Sequence, residues 1–302
     1  MLSNIDAHLK SSPVQVYEIN GVGIHVKRDD LIHAVISGNK WRKLKYHLVK
    51  AAEAKCNTLI TFGGPFSNHI AAVAKTAELC SMKSIGIIRG GHADANNPTL
   101  KQARENGMQL IRVGIDEYNE RNNYNYHDQL KLEYPAAYII PEGGAGPKGI
   151  SGAMEIVKEL DQTYDFIVCA VGTGTTAAGL ILSKPQQTKI VCMSVFKKAD
   201  GVRDMINANL NLILNNKEAV AEYQNDFEVV DGYGFGGYAK VNDPLKGFVK
   251  EIEAKYNLPL DLVYTGKALY GLLDLMKTGK IKRDAKILFY HSGGLQGNAG
   301  FG

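Results

Sequence analysis

Short apolar runs and helical runs alternate along much of this chain, and that rhythm restricts its fold more than any other feature. Residues 58–62, 84–88, 109–113 and 137–140 read as strands. Residues 70–79, rich in alanine, and 99–106 read as the helices between the first three. The polar stretch 118–133 reads as the helix before the fourth strand. Strands joined through helices run parallel, so the pattern predicts an α/β chain with doubly wound, mostly parallel sheets.

The same reading extends to both sides. Val22, Ile24 and Val26 alternate with Gly23, His25 and Lys27, the period of a half-buried strand. Ser37 then stands where an N-cap belongs, and Leu44, Leu48, Ala51 and Ala52 mark the apolar stripe of a helix. Residues 141–147, dense in glycine and proline, read as a linker. Beyond it a helix at 149–160 and strands at 166–171, 189–195 and 286–290 continue the alternation. The expectation is two α/β domains sharing a cleft: a larger one from residues 1–51 and 147–302, and a smaller one from 52–146 that closes over it.

Length and composition fit this. The chain has 302 residues, 45% of them hydrophobic and 22% charged, in the range of an ordinary globular protein. A net charge of +4 without a basic tract points away from nucleic acid. The longest apolar runs, such as 166–171, are far too short for a membrane span. The first residues carry neither a basic nor an apolar targeting region, so no signal peptide is expected. Cys56, Cys80, Cys169 and Cys192 lack metal-ligand spacing and read as free thiols in a reducing cytoplasm, with no metal site.

Three segments carry candidate chemistry. The loop Gly172-Thr173-Gly174-Thr175-Thr176 follows an apolar strand and precedes a helix. Its glycines let backbone amides approach an anion, and the threonine hydroxyls add donors. The spacing Gly172-x-Gly174-x-x-Ala177 also fits a dinucleotide fingerprint loosely. The following strand, ending Met193-Ser194-Val195-Phe196, lacks the carboxylate that would hold a ribose, which favours a monophosphate. Lys40, in Ser37-Gly38-Asn39-Lys40-Trp41-Arg42-Lys43-Leu44, sits in a first helical turn, where the helix dipole disfavours a cation and frees an amine. Ser67-Asn68-His69 opens another helix, suited either to a carboxylate or to plain N-capping. Tyr238, Tyr264 and His291, taken singly, read as structural residues.

In this order, Gly38-Asn39-Lys40-x-Arg42-Lys43-Leu44, Ser67-Asn68-His69, Val263-Tyr264-x-Gly266-Lys267 and His291-Ser292-Gly293-Gly294 resemble the 1-aminocyclopropane-1-carboxylate (ACC) deaminase and D-cysteine desulfhydrase family. These are pyridoxal-phosphate enzymes of the tryptophan synthase β-like fold (fold type II). The resemblance implies pyridoxal 5'-phosphate bound covalently to Lys40. It implies a phosphate held by Lys43 with Gly172, Thr173, Gly174, Thr175 and Thr176, and a ring hydroxyl contacted by Asn68. It also implies a substrate carboxylate near Ser67, Asn68 and His69, catalytic tyrosines at Tyr238 and Tyr264, and a homodimer. ACC deaminases carry glutamate after the tyrosine matching Tyr264 and leucine after the histidine matching His291. Here Thr265 stands at the ring nitrogen's position and Ser292 on the substrate side. Both differences look like the desulfhydrase branch. A hydroxyl makes a weaker electron sink than a carboxylate, enough for a thiolate leaving group.

The reading is therefore a cytoplasmic lyase that converts D-cysteine to pyruvate, sulfide and ammonia. ACC deamination to 2-oxobutyrate and ammonia is the alternative. A nicotinamide-dependent oxidoreductase and a catalytically silent binder remain as more distant ones.

Overall fold

The computed structural model describes residues 5–91 and 96–301. Residues 1–4, part of the stretch read for a targeting signal, lie outside them. The strands sort into two sheets. One has six strands in the order β1-β2-β10-β7-β8-β9: β1 (Val14–Ile19), β2 (Val22–Arg28), β7 (Phe166–Val171), β8 (Lys189–Ser194), β9 (Phe227–Val230) and β10 (Ile287–His291). The other has four in the order β5-β4-β3-β6: β3 (Thr58–Gly63), β4 (Lys83–Arg89), β5 (Met108–Val113) and β6 (Ala137–Ile140). All pairings are parallel except β1 with β2. Every residue of β3 is buried, as expected for a parallel strand covered on both faces.

β1 has no counterpart in the sequence reading. It joins β2 through Asn20 and Gly21, both at positive φ, and Ile19 pairs with Val22. That is a two-residue hairpin whose backbone twist matches the strands it links.

The helices that position the cleft are α1 (Asn39–Glu53), α2 (Asn68–Leu79), α6 (Pro147–Lys158), α7 (Thr175–Ser183), α8 (Val202–Leu214) and α11 (Thr265–Lys277). The surface helices are α3 (Pro98–Glu105), α4 (Ile115–Asn119), α5 (Tyr124–Glu133), α9 (Lys217–Glu222) and α10 (Asp243–Tyr256). The polar helix expected at 118–133 is split. Asn123, in an extended conformation, ends one turn and caps the next through Asn125 N. Ser37 is not the cap of α1. Gly38 takes that place at φ 62°, and the Ser37 hydroxyl reaches instead toward Asp30 O at 3.4 Å.

α1 joins the two layers. Its buried face, Trp41, Leu44, Leu48 and Ala51, packs with Leu59 of β3 and with Ile70 and Val73 of α2. Each such aliphatic side chain contributes about 2 kcal/mol by leaving water. Its opposite side meets α6 at very close range. A Cβ on Gly152 would lie 1.7 Å from Arg42 O, so only glycine fits there. Gly152→Val should therefore separate the two helices. The expected loss is about 3 kcal/mol of unfolding free energy, at the upper end for overpacking, read by urea denaturation. A stability unchanged from wild type would contradict this packing.

Candidate active site

The start of α1 is fixed by buried charge. The Asp29 carboxylate accepts from Arg42 Nε at 2.9 Å and Nη2 at 3.0 Å, from the Tyr290 hydroxyl at 2.8 Å, and from Ser12 Oγ. Arg42 also holds Glu159, with Nη2 2.7 Å from Oε2, and Lys27 Nζ reaches the same oxygen at 2.8 Å. Burial alone would raise the Glu159 carboxyl, but the hydrogen bonds from Arg42 and Lys27 outweigh it and hold it down to about 2. The backbone completes the anchor. Gly38 N donates to Asp29 O at 2.9 Å, and Asn39 N donates to Ser292 O at 3.2 Å. A Cβ on Gly38 would lie 1.8 Å from Ser292 O, so the approach of α1 to the end of β10 requires glycine.

Two lysines follow from this anchor. Lys40 is half-buried, and its Nζ donates to Asn39 Oδ1 at 2.7 Å. Burial pulls its pKa down to about 8, against the opposing pull of Asp261. Lys43 is buried, and burial followed by the charge of Lys40 pushes its pKa well below the usual lysine value. Among the described residues, no carboxylate pairs with Lys43. An unpaired buried ammonium is costly, so the site is built for an anion from outside the chain.

The glycine loop supplies the other side. Gly174, at φ 76°, caps α7 in the left-handed region. Asn209 of α8 braces the loop: its Nδ2 donates to Thr173 O at 3.1 Å, and its Oδ1 accepts from Thr175 Oγ1 at 3.2 Å. Asn39 Nδ2 donates to Thr176 Oγ1 at 3.2 Å, which ties this loop to α1. Residues four apart share a helix face, so Lys43 stands on the face that Asn39 turns to the loop. The turn 142–144 closes the ring. A Cβ on Gly143 would lie 3.6 Å from Thr173 Cγ2, and one on Gly144 would lie 3.0 Å from Lys43 Cβ and 3.5 Å from His69 Cε1.

At the start of α2, Ser67 accepts from His69 N at 3.3 Å and Ile70 N at 3.4 Å, so its hydroxyl oxygen serves as the helix cap. Asn68 Oδ1 is buried without a partner among the described residues. His69 turns inward. Thr61 Oγ1 donates to Ile140 O at 2.9 Å, so its contact of 2.8 Å with His69 Nε2 makes that nitrogen the donor. Burial, then Lys40 and Lys43, hold the imidazole neutral. As placed, His69 has only an acceptor, Nδ1, left to offer, and a carboxylate needs a donor.

The far wall is organised by Asp261, to which the sequence reading assigned nothing. Its Oδ2 accepts from the amides of Val263 and Tyr264, each at 2.8 Å, and its Oδ1 from Thr265 N and Thr265 Oγ1, each at 2.7 Å. Thr265 Oγ1 also accepts from Asp261 N at 2.9 Å. The single hydroxyl proton of Thr265 is thus committed, and toward any ligand Thr265 can only accept. The Tyr264 and Tyr238 hydroxyls lie 3.1 Å apart, and a Cβ on Gly172 would lie 3.1 Å from Tyr264 Cε1. Burial, then Tyr238, pushes the Tyr264 phenol well above its ordinary value, so it keeps its proton. Lys267 Nζ bonds the carbonyls of Gly234 and Gly237, each at 2.8 Å, and so fixes the loop that carries Tyr238. His291 is structural here: its Nε2 lies 2.7 Å from Pro259 O and its Nδ1 accepts from Gly293 N.

One cleft therefore gathers Lys40, Lys43, the 172–176 loop, Asn68, Tyr238, Tyr264, Thr265 and Ser292. Asn39, Asp261, Lys267 and Asn209 support them, and nothing in the sequence marks these beyond their place in or near motifs. No group of His, Cys, Asp and Glu among the described residues forms a metal site, and no described helix is long and apolar enough to cross a membrane.

The comparisons with known proteins agree with this chemistry. A family model described as pyridoxal-phosphate dependent enzyme matches residues 8–293. A provisionally named ACC deaminase of Pyrococcus abyssi is 34% identical over 297 residues, covering 92% of this chain and 86% of that one. The bifunctional D-cysteine desulfhydrase/ACC deaminase of Arabidopsis thaliana is 30% identical over 300 residues, covering 92% and 74%. The crystal structure of an ACC deaminase homologue superposes with a TM-score of 0.81 at 28% identity, covering 96% of this chain and 91% of that one. The chain belongs to the pyridoxal-phosphate dependent enzymes, in the ACC deaminase and D-cysteine desulfhydrase group. The dinucleotide reading of the glycine loop falls with this match. The site fits the cofactor: an unpaired buried lysine and a braced glycine loop for its phosphate, and a bare Asn68 acceptor for its ring hydroxyl.

Arg42→Met would leave the Asp29 carboxylate without its main partner in the interior. The expected cost is about 3–5 kcal/mol, with loss of bound cofactor, read by urea denaturation and cofactor absorbance. A variant that keeps both wild-type values would contradict the anchoring role.

Proposed function

We propose that this enzyme eliminates the β-substituent of a small amino acid, with D-cysteine the leading substrate and pyruvate, sulfide and ammonia the products. The observation that carries the choice is Thr265, a hydroxyl already donated to Asp261 where ACC deaminases of the family carry a glutamate. Ser292 supports the same branch. The relatives' names cover both activities, so ACC ring opening is the second reading.

Lys40 would hold the cofactor, Lys43 and the 172–176 loop its phosphate, Asn68 its ring hydroxyl, and Thr265 its ring nitrogen. When bound, the cofactor supplies an electron sink for the charge left at Cα. The chain's own groups do the rest. With its pKa near 8, roughly a tenth of Lys40 is free amine at pH 7, about two hundred times more than for an ordinary lysine. Once the substrate amine has taken its place, Lys40 Nζ accepts the proton from Cα. Tyr264 donates to Tyr238 at 3.1 Å, which leaves the Tyr238 hydroxyl proton to go to the departing hydrosulfide, with Tyr264 bonded behind it. One water is consumed as the remaining three-carbon unit becomes pyruvate and ammonia. The unit of residues 52–146 would close over the rest and exclude bulk water. Four free cysteines suit a cytoplasmic setting, and the family resemblance supports a homodimer, which sedimentation would check.

Keto-acid release tests the choice of substrate, measured on D-cysteine, L-cysteine and ACC with wild type and the Thr265→Glu, Ser292→Leu double variant. Wild type should give pyruvate and sulfide from D-cysteine and nothing from ACC, and the double variant should gain 2-oxobutyrate. 2-Oxobutyrate from the wild type would contradict the reading. Lys40→Ala should abolish turnover.

The lysine pKa has its own test. Below about pH 8 Lys40 is an ammonium and cannot attack an aldehyde, and above it the amine is free. Capture of cofactor by the apoprotein, followed by stopped-flow absorbance, should accelerate through about pH 8 and then level off. An inflection near the ordinary lysine value, about 10.4, would contradict the lowered pKa.

A further inference from the structure

The segment after Gly293 and Gly294 forms a 3-10 helix, Leu295–Phe301, with ties to both layers. On one side Asn298 Oδ1 accepts from Leu262 N at 2.9 Å and Nδ2 donates to Leu260 O at 3.0 Å. On the other, a Cβ on Gly297 would lie 3.4 Å from Asn68 Oδ1, and one on Gly300 would lie 3.0 Å from the Phe66 ring. A Cβ on Gly294 would lie 3.0 Å from Asn68 Nδ2 and 3.4 Å from Asp261 Cγ.

Gln296 sits in the middle of this crossing. Both Nε2 and Oε1 of its amide are buried, and neither has a hydrogen-bond partner among the described residues. Asn68 Oδ1, next to Gly297, is bare as well. Burying a primary amide with nothing to bond is costly. Such groups are kept where a ligand completes them. The phosphate end of the cleft lies at Lys43 and the 172–176 loop. Gln296 lies in the segment whose Gly294 and Gly297 approach Asn68 and whose Asn298 holds Leu260 and Leu262.

We propose that Gln296 is a specificity residue that reads the β-substituent of the substrate. This rests on the amino-acid lyase reading above and narrows it. An amide presents donors and an acceptor together. Its partner is therefore a group that both donates and accepts, such as the β-hydroxyl of a serine or, more weakly, the thiol of a cysteine. A methyl group or the ring methylenes of ACC leave the amide bare. A site that hydrogen-bonds a substrate hydroxyl discriminates against the analogue lacking it, because its own buried groups are then unpaired.

The test is equilibrium binding rather than turnover. Holoenzyme is titrated with serine and with alanine, in both enantiomers, and the cofactor absorbance change gives each Kd. Wild type should bind the preferred serine enantiomer at least ten times more tightly than the matching alanine. Gln296→Leu should bring the two within threefold, mainly by weakening serine. Gln296→Glu keeps the shape but removes the donors, and it guards against a folding defect in the leucine variant. It too should lose most of the preference. An unchanged serine-to-alanine ratio in both variants would overturn the proposal and leave the amide to water. No absorbance response from wild type to any amino acid, D-cysteine included, would instead overturn the lyase reading on which the proposal stands.

Discussion

The site depends on one ion network, buried at Asp29 and Arg42 and open to solvent at Glu159. Asp29, at the end of β2, grips Arg42 in the first turn of α1, and Arg42 in turn grips Glu159 just beyond α6. Buried pairs of this kind are weak sources of net stability, because desolvation offsets most of the attraction. Their effect is on geometry. With the Arg42 guanidinium held on two carboxylates, α1 has one permitted start, and the backbone bond from Gly38 to Asp29 fixes the same start independently. Lys40 and Lys43 then emerge where the glycine loop faces them.

From that placement the electrostatics follow. The network neutralises itself outside the cleft, while the cleft keeps two lysines with lowered pKa values, a neutral His69 and, among the described residues, no acid against Lys43. A dianionic phosphate is the complement of that arrangement. In the proposed reading, the amine that would react and the cation that would hold the phosphate lie three residues apart on one helix. Burial lowers both, and the phosphate would restore the charge of Lys43 while Lys40 is used covalently. Asp261 bounds the opposite wall. It orders the start of α11 and fixes the direction of the Thr265 hydroxyl.

The parallel sheets and the motif positions were legible because they are local: period, punctuation and a glycine loop between a strand and a helix. β1 was missed although Asn20-Gly21 beside the alternating Val22, Ile24 and Val26 is a hairpin signal. Ser37 fits a cap by residue type, but the close approach of Gly38 to Ser292 decides the start of α1, and that contact spans 254 positions of sequence. The partners of Arg42 lie 13 and 117 residues away, and nothing in a single sequence marks such pairs. The bare amide of Gln296 was likewise invisible, because satisfaction of a polar group is a property of its surroundings. The inward turn of His69 is set by Thr61 on the neighbouring strand, a contact that the helix-start reading of Ser67-Asn68-His69 does not show.

The central claim is that the anchored start of α1 delivers Lys40 to the cofactor. Borohydride reduction of the holoenzyme, followed by proteolysis and mass analysis, tests it directly. The account predicts the reduced cofactor mass on the peptide containing Lys40, with fragmentation placing it on that side chain and none on Lys43. Label on Lys43, on Lys267 or on no lysine would contradict it.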